Sequence, residues 1–299
     1  MAPLTWDQVG ERLFETGVDH GVLYIPDEVG AYDEAHPWNG LTTVTESPSG
    51  AESNPQYADN IKYLNLISAE EFGATVEAFT YPEAFAQCDG SALPSPGIVL
   101  GQQGRKVFGL AYRTRLGNDL EGVDHGYKIH LIYGAQAAPS EKAYGTINDS
   151  PEAITFSWEV TTTPVPVAAE IEGVQLKPTA QLVIDSTKVD ADDLEALEEI
   201  LFGSAGDDAR LPLPDEVIAL FTGEVVEVDL GTPANQPTYN AGTHVLTLPA
   251  VTGVQWKVNG INKANGAQPA LGVGETAEVQ AVAQAGYNLD GDDDWTFDY

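Results

Sequence analysis

The string Ile154-Thr155-Phe156-Ser157-Trp158-Glu159-Val160 alternates apolar and polar side chains without a fault, and this period of two restricts the fold more than any other feature. On an extended chain it sends Ile154, Phe156, Trp158 and Val160 to one face and Thr155, Ser157 and Glu159 to the other, the pattern of an antiparallel sheet buried on one side. Residues 107–115 repeat it, with Phe108, Leu110 and Tyr112 opposite Gly109, Ala111, Arg113 and Arg115, and Ile129, Leu131 and Tyr133 repeat it again. Residues 22–25, 74–80, 98–100 and 181–185 read as further strands, each bounded by Gly, Pro, Asp or Asn. Helix is scarce. At 190–202, Asp190, Asp192 and Asp193 suit the positive end of a helix dipole, Leu194, Leu197 and Leu201 recur at helical spacing beside Ile200, and Gly203 ends the run. This helix should lie on a sheet by its one apolar stripe. Pro214 opens a shorter one through Val217, Ile218 and Phe221.

A single hydrophobic core rarely organises 299 residues, so one large domain or two unequal ones are expected. Gly231-Thr232-Pro233-Ala234-Asn235-Gln236-Pro237-Thr238 follows neither period and reads as a linker. It separates a domain at 1–230 from a small β module at 243–299, with 231–242 between them. In the module Val254, Trp256 and Val258 share a face, and Asn259-Gly260 supplies a hairpin turn needing positive φ. Residues 244–248, 275–283 and 295–299 add strands, the last alternating Trp295, Phe297 and Tyr299 against Thr296 and Asp298, so a compact sandwich is expected. A compact chain of this mass exposes about 12,000 Å². Gly17-Val18-Asp19-His20-Gly21-Val22 returns as Gly122-Val123-Asp124-His125-Gly126-Tyr127, either as a trace of duplicated halves or as the same turn chemistry used twice.

Charge decides which partners such a chain can hold. With 46 acidic residues against 13 basic ones the formal net charge is −33, and residues 164–230 alone hold 16 acidic against 3 basic. A Lys/Arg footprint that grips nucleic acid is excluded, and an acidic membrane surface repels the chain. The hydrophobic share of 42%, spread along the whole length, is enough for a real core. Cys88 is the single cysteine, which leaves no intrachain disulfide and no cysteine-based zinc site. The start Met1-Ala2-Pro3-Leu4-Thr5-Trp6-Asp7 has no basic stretch followed by an apolar run, and no run approaches the ~18 apolar residues of a membrane helix. A soluble product used or assembled where it is made is expected.

Catalytic templates fail in turn. The chain has no G-x-x-x-x-G-K phosphate loop, no H-E-x-x-H zinc helix, no G-x-S-x-G elbow and no G-x-G-x-x-G leading into a helix. Among His20, His36, His125, His130 and His244 only His125 and His130 are close, and five positions on a strand put them on opposite faces. The two Asp-His-Gly triplets read as turns, because Asp bonds its own backbone and Gly accepts positive φ. Residues 288–294 offer calcium-like oxygens but lack the EF-hand spacing and its closing Glu, so a solvated acidic turn is expected. If 105–115 is one unbroken strand, Arg105, Arg113 and Arg115 project to one side, with Lys106 beside them, and in so acidic a protein such a patch suits acid on a neighbouring copy. No catalytic residue, cofactor or metal ligand is assigned.

Several strings carry a family resemblance. These are Gly17-Val18-Asp19-His20-Gly21-Val22-Leu23-Tyr24, then Gly73-Ala74-Thr75-Val76-Glu77-Ala78-Phe79-Thr80-Tyr81-Pro82 with Cys88-Asp89-Gly90, and Gly101-Gln102-Gln103-Gly104-Arg105-Lys106-Val107-Phe108-Gly109-Leu110-Ala111-Tyr112-Arg113-Thr114. Residues 154–163, ending in threonines before Pro164, complete the set. Over about residues 10–230 the chain resembles the major tail proteins of long, non-contractile bacteriophage tails. The resemblance implies a tail-tube fold: antiparallel sheets packed as a sandwich or partial barrel, flanked by an α-helix. It also implies a virion component assembled in the host bacterial cytoplasm, in which six subunits close a ring and rings stack into a tube. The tube holds the tape-measure protein and later conducts DNA without binding it specifically. Residues 243–299 resemble the immunoglobulin-like decorations that some of these proteins wear, and Ala281-Val282-Ala283-Gln284-Ala285-Gly286-Tyr287 with Asp294-Trp295-Thr296-Phe297 is similar to a repeat of bacterial surface and phage proteins. The family supplies no active site.

A −33 subunit suits a lumen that must pass DNA without gripping it. Residues 42–59, with Ser47-Pro48-Ser49-Gly50, read as a long polar loop, an arm that orders only against the next ring. Two other functions stay open. The module can bind a host-surface glycan if Trp256, Trp295 and Tyr299 form an exposed platform. An acidic glycoside hydrolase needs a cleft holding a carboxyl of raised pKa.

Overall fold

The computed structural model describes residues 3–28, 30–147, 149–171, 174–206, 208–223, 226–284 and 286–299. Met1 and Ala2 of the amino-terminal start and Ala285 of the string 281–287 lie outside them. The chain is mainly β, 48% strand and 11% helix. It divides into two compact units, the first made of residues 1–26, 32–166 and 178–211 and the second of 27–31, 167–177 and 212–299. Among the described residues no helix is long and apolar enough to cross a membrane.

Chain order gives β1 (Phe14–Ile25), β2 (Glu34–Trp38), β3 (Leu41–Glu46), β4 (Ser49–Gly50), β5 (Ser53–Ala58), β6 (Ile61–Ile67), β7 (Glu70–Glu71), β8 (Gly73–Ala78), β9 (Ala92–Ser95), β10 (Ile98–Leu100), β11 (Phe108–Asn118), β12 (Gly122–Ala137), β13 (Phe156–Thr162), the short pair β14 (Glu170–Ile171) and β15 (Val174–Gln175), and β16 (Gln181–Asp185). In the first unit the main sheet runs β2-β1-β11-β12-β13-β8-β3, antiparallel throughout, with β16 also on β12. Only Asn39-Gly40 joins the two end strands, β2 and β3, and three Cα steps span at most about 11 Å. The ends of the sheet therefore lie side by side, and it curls into a partial barrel.

β12 serves two neighbours in succession, β16 along 128–132 and β13 along 135–137. The switch falls at Gly134, with φ 57°, where an added Cβ would lie 2.1 Å from the Thr163 carbonyl oxygen. Only glycine fits that bend. Leu23, Leu110, Ile132, Val76, Trp158 and Val160 fill the interior with Phe85 and Cys88, which come from the short helical turn 83–85 and α1 (Ala86–Asp89). Tyr24, Ala111, Ile129, Leu131 and Tyr133 are buried on the opposite face. That face is covered by α2 (Ala191–Phe202), whose Leu194, Leu197 and Leu201 are buried and whose N-cap Asp190 accepts from the Asp192 amide. Tyr24 Oη donates to the Leu201 carbonyl at 2.7 Å and Tyr127 Oη to Glu198 at 2.7 Å, fixing the helix on the sheet. Trp158 and Val160 face the core as their alternation requires, whereas Ile154 precedes the strand and is exposed.

The second unit adds α3 (Pro214–Thr222), β17 (Val226–Asp229), β18 (Thr238–Asn240), β19 (Val245–Leu248), β20 (Val254–Val258), β21 (Ile261–Lys263), β22 (Gly266–Ala267), β23 (Thr276–Ala283), β24 (Tyr287–Asp290) and β25 (Asp294–Asp298). Sheets β18-β19-β22 and β21-β20-β23-β25 enclose one core of Leu246, Leu248, Val254, Trp256, Ala277, Val279 and Ala281. Asn259 and Gly260 make the β20–β21 turn at φ 52° and 77°. Residues 231–242 lie within this unit, hold a 3-10 turn (Pro233–Asn235) and β18, and follow the fully buried Leu230. Asp215, in the first turn of α3, is 3% exposed and ties three segments together: it accepts from the amides of Ala168 and Ala169 and, at 3.0 Å, from Tyr287 Oη.

Candidate assembly surface

The hairpin that β3 and β8 begin inside the sheet continues beyond it. Glu46 pairs with Ala74, Ser49 with Glu71, Gly50 with Glu70, Ser53 with Ile67, Asn54 with Leu66 and Gln56 with Leu64, all in one register. From 41 to 78 the chain is one antiparallel ribbon, kinked where Gly50 and Ala51 take positive φ. It turns at Asp59-Asn60, whose φ values of 51° and 62° give the positive-φ turn that matches strand twist. Past residue 47 the ribbon leaves the sheet and runs about 40 Å. The expected polar loop at 42–59 is therefore corrected: its first part is a sheet strand and its second part is half of an apolar ribbon.

No third strand covers β5 and β6 among the described residues. Tyr57, Ile61, Tyr63, Leu66 and Ile67 each expose more than half of their surface. They occupy both faces, because Leu64 and Leu66 alternate with Tyr63 and Ile67. A bare two-stranded ribbon is marginal in water, and uncovered edges with apolar side chains are templates for pairing. Between Ser53 and Ile67 the only charged residues are Asp59 and Lys62, which cancel. On a −33 chain this is a place where another copy meets no like charge.

A second uncovered hairpin joins β9 to β10 through Pro96 and Gly97, the latter at φ 80°. Ile98, Val99 and Leu100 are half exposed or more, and residues 91–104 contain no charged side chain. The amino-terminal segment also presents Leu4, Trp6, Val9 and Leu13, but among Asp7, Glu11 and Arg12, and it is held to Asp119 through the Gly10 and Arg12 amides. The accessible surface is 17951 Å², well above the 12,000 Å² expected of a compact chain. Two wholly separate units of these sizes would expose only about 14,500 Å².

The polar groups singled out by sequence mostly satisfy one another. Both Asp-His-Gly triplets sit in strands, β1 and β12, and not in turns. In β1 the positive φ falls at Gly17 and His20, within register shifts on either side of Asp19, so a bulged strand supplies the freedom expected of a turn. The bulge brings Asp19 onto Arg113 at 2.7 Å, Arg115 at 3.2 Å and His20 at 2.9 Å. Burial raises the Asp19 pKa, but the hydrogen bonds from Arg113, His20 and Arg115 outweigh it and hold it at about 2. The unbroken 105–115 strand on which a one-sided arginine patch depended does not form, since the strand read at 107–115 begins at Phe108. Arg105 lies outside it and donates to the Ala137 carbonyl at 3.0 Å, while Arg113 and Arg115 meet acid in their own chain.

His130 stacks flat on Tyr112 at 4.6 Å, with Thr114 Oγ1 3.0 Å from Nε2 and Glu46 Oε1 3.2 Å from Nδ1. Burial lowers its pKa against the pull of Glu46 and Glu15. His125 lies elsewhere, against Glu121 and Asn118. The Cys88 thiol is fully buried and pushed up to about 12 by that burial. No group of three or more His, Cys, Asp or Glu among the described residues is placed to hold a metal ion. The turn expected over 288–294 is shorter: residues 288–290 belong to β24, paired with β17, and 294 opens β25, so only 291–293 connect the two strands. Trp256 is a 1% exposed core residue packed 5.6 Å from Trp295, and Tyr299 packs on His244, so the three do not form one platform. Sequence reasoning missed the ribbon, whose signals were the Asp59-Asn60 turn pair and the apolar run after it.

No protein-family model matches the chain, and no curated protein sequence does.

Proposed function

We propose that this chain is a structural subunit that assembles with copies of itself, as the tail-tube protein of a long, non-contractile phage tail. The observation that carries this reading is the neutral, apolar ribbon at 53–67, uncovered on both faces in an otherwise strongly acidic chain. Burying it against a neighbour removes apolar surface from water at about 25 cal/mol per Å² without bringing acid to acid. Stacked six-membered rings in a virion, built in the host cytoplasm around a tape-measure protein and later passed by DNA, are the form that the resemblance over residues 10–230 implies. Residues 243–299 then decorate the exterior. The buried Trp256 removes the aromatic platform on which a glycan-binding role rested.

Electron microscopy of the purified protein, dilute and concentrated, tests this. Wild type should form rings or tubes with a central channel. The comparison variant lacks residues 52–68 and carries Ala51→Asn and Ala69→Gly, closing the Gly50–Glu70 pair with a two-residue turn. It should stay a folded monomer by light scattering at concentrations where wild type assembles. Normal tubes from this variant would refute the role given to the ribbon.

A further inference from the structure

The ribbon needs a receiving surface, and we propose that it is the β9–β10 hairpin of a second copy of this chain. This rests on the assembly reading and names the partner of that site. Both surfaces are apolar and uncovered, and the two are matched in charge: 53–67 cancels to zero and 91–104 has no charged residue. Beside β9 lies an open cleft of about 600 Å³, lined by Ala84, Ala86 and Leu93 and by the charged Glu83, Arg105 and Lys106. It has room for the tyrosines, Tyr57 and Tyr63, that flank the ribbon's tip. Lys106 is exposed, and among the described residues no carboxylate lies within 4 Å of its ammonium; Asp59, at the ribbon's turn, likewise has no cation within that distance. Seating the ribbon on β9–β10 brings these two charges to one contact.

Geometry favours this pairing over ribbon against ribbon. A self-paired ribbon is isologous, stops at two copies and leaves Ile98, Val99 and Leu100 in water. Ribbon on β9–β10 covers both patches with one kind of contact. Such a contact is heterologous and repeats from copy to copy, which a ring or a filament requires.

Cysteine pairing tests the proposal on the full chain, because buried Cys88 leaves little background. Tyr63→Cys and Ile98→Cys are made in separate copies, mixed in equal amounts and oxidised with diamide. Dimers joining unlike copies should exceed like-joined dimers roughly tenfold, as docking holds the two thiols at high effective concentration. Asp59→Lys should reduce that excess, and Lys106→Glu on the receiving copy should restore it. A predominance of 63-to-63 dimers, or equal reactivity of like and unlike pairs, overturns the pairing. If wild type still builds rings or tubes in that case, the assembly reading stands without it. A wild type that stays monomeric at every concentration overturns both.

Discussion

Replacing Trp158 by alanine should cost the first unit roughly 3–5 kcal/mol, the range for emptying a buried aromatic site. Trp158 is 1% exposed and lies among four rings, with centroids of Trp38 at 5.6 Å, Tyr81 at 5.3 Å, Phe85 at 5.2 Å and Phe156 at 6.0 Å. Trp38 comes from β2 at one end of the strand order and Trp158 from β13 near the other, so this indole joins the two margins of the curled sheet. Alanine would leave a cavity that rings held by separate strands cannot collapse to fill. For a unit of this size the midpoint of thermal unfolding should fall by roughly 10 °C. Trp158→Phe should cost only about 1 kcal/mol, since the indole N–H has no acceptor to lose and the aromatic contacts largely survive. Calorimetry on the three proteins checks the order, and equal stability of the alanine variant and wild type would show that Trp158 does not close the barrel.

The second large effect belongs to Asp215. Asp215→Ala takes the acceptor from three donors: the Tyr287 hydroxyl, whose bond is buried and whose loss costs roughly 1–3 kcal/mol, and the half-buried amides of Ala168 and Ala169, which water can partly satisfy. The whole change should cost the second unit about 2–4 kcal/mol, lowering its transition by roughly 10 °C or more. The group also holds segment 167–169 and β24 onto α3, so hydrogen exchange should quicken at 167–177 and 287–290 together. Asp215→Asn, which keeps one acceptor oxygen, should fall between alanine and wild type. Loss confined to one segment would mean that Asp215 does not couple them.

Legibility in the sequence followed burial. Residues 108–115 and 156–160 were readable because each faces a core on one side, and alternation records that difference. The helix was readable because Asp190, the leucine stripe and Gly203 are all local signals. Asp19 was not, since its partners Arg113 and Arg115 lie on another strand and a double bulge is needed to reach them. Asp215 was hidden for the same reason: its three donors come from chain positions far apart. The ribbon escaped because neither of its faces is buried. Ile61, Tyr63, Leu64, Leu66 and Ile67 give no alternation for a two-state pattern to catch, and Asp59-Asn60 is a weaker turn sign than the Asn259-Gly260 that was recognised.

Hydrogen exchange of residues 53–67, compared between dilute and concentrated protein, tests most directly whether the ribbon is an assembly arm. In dilute solution its amides should exchange rapidly, because a two-stranded ribbon without a core opens freely. In the assembled protein they should slow by about a hundredfold or more, the mark of a segment buried by its neighbour. Assembly that leaves the exchange of 53–67 unchanged while protecting other surfaces would contradict the account.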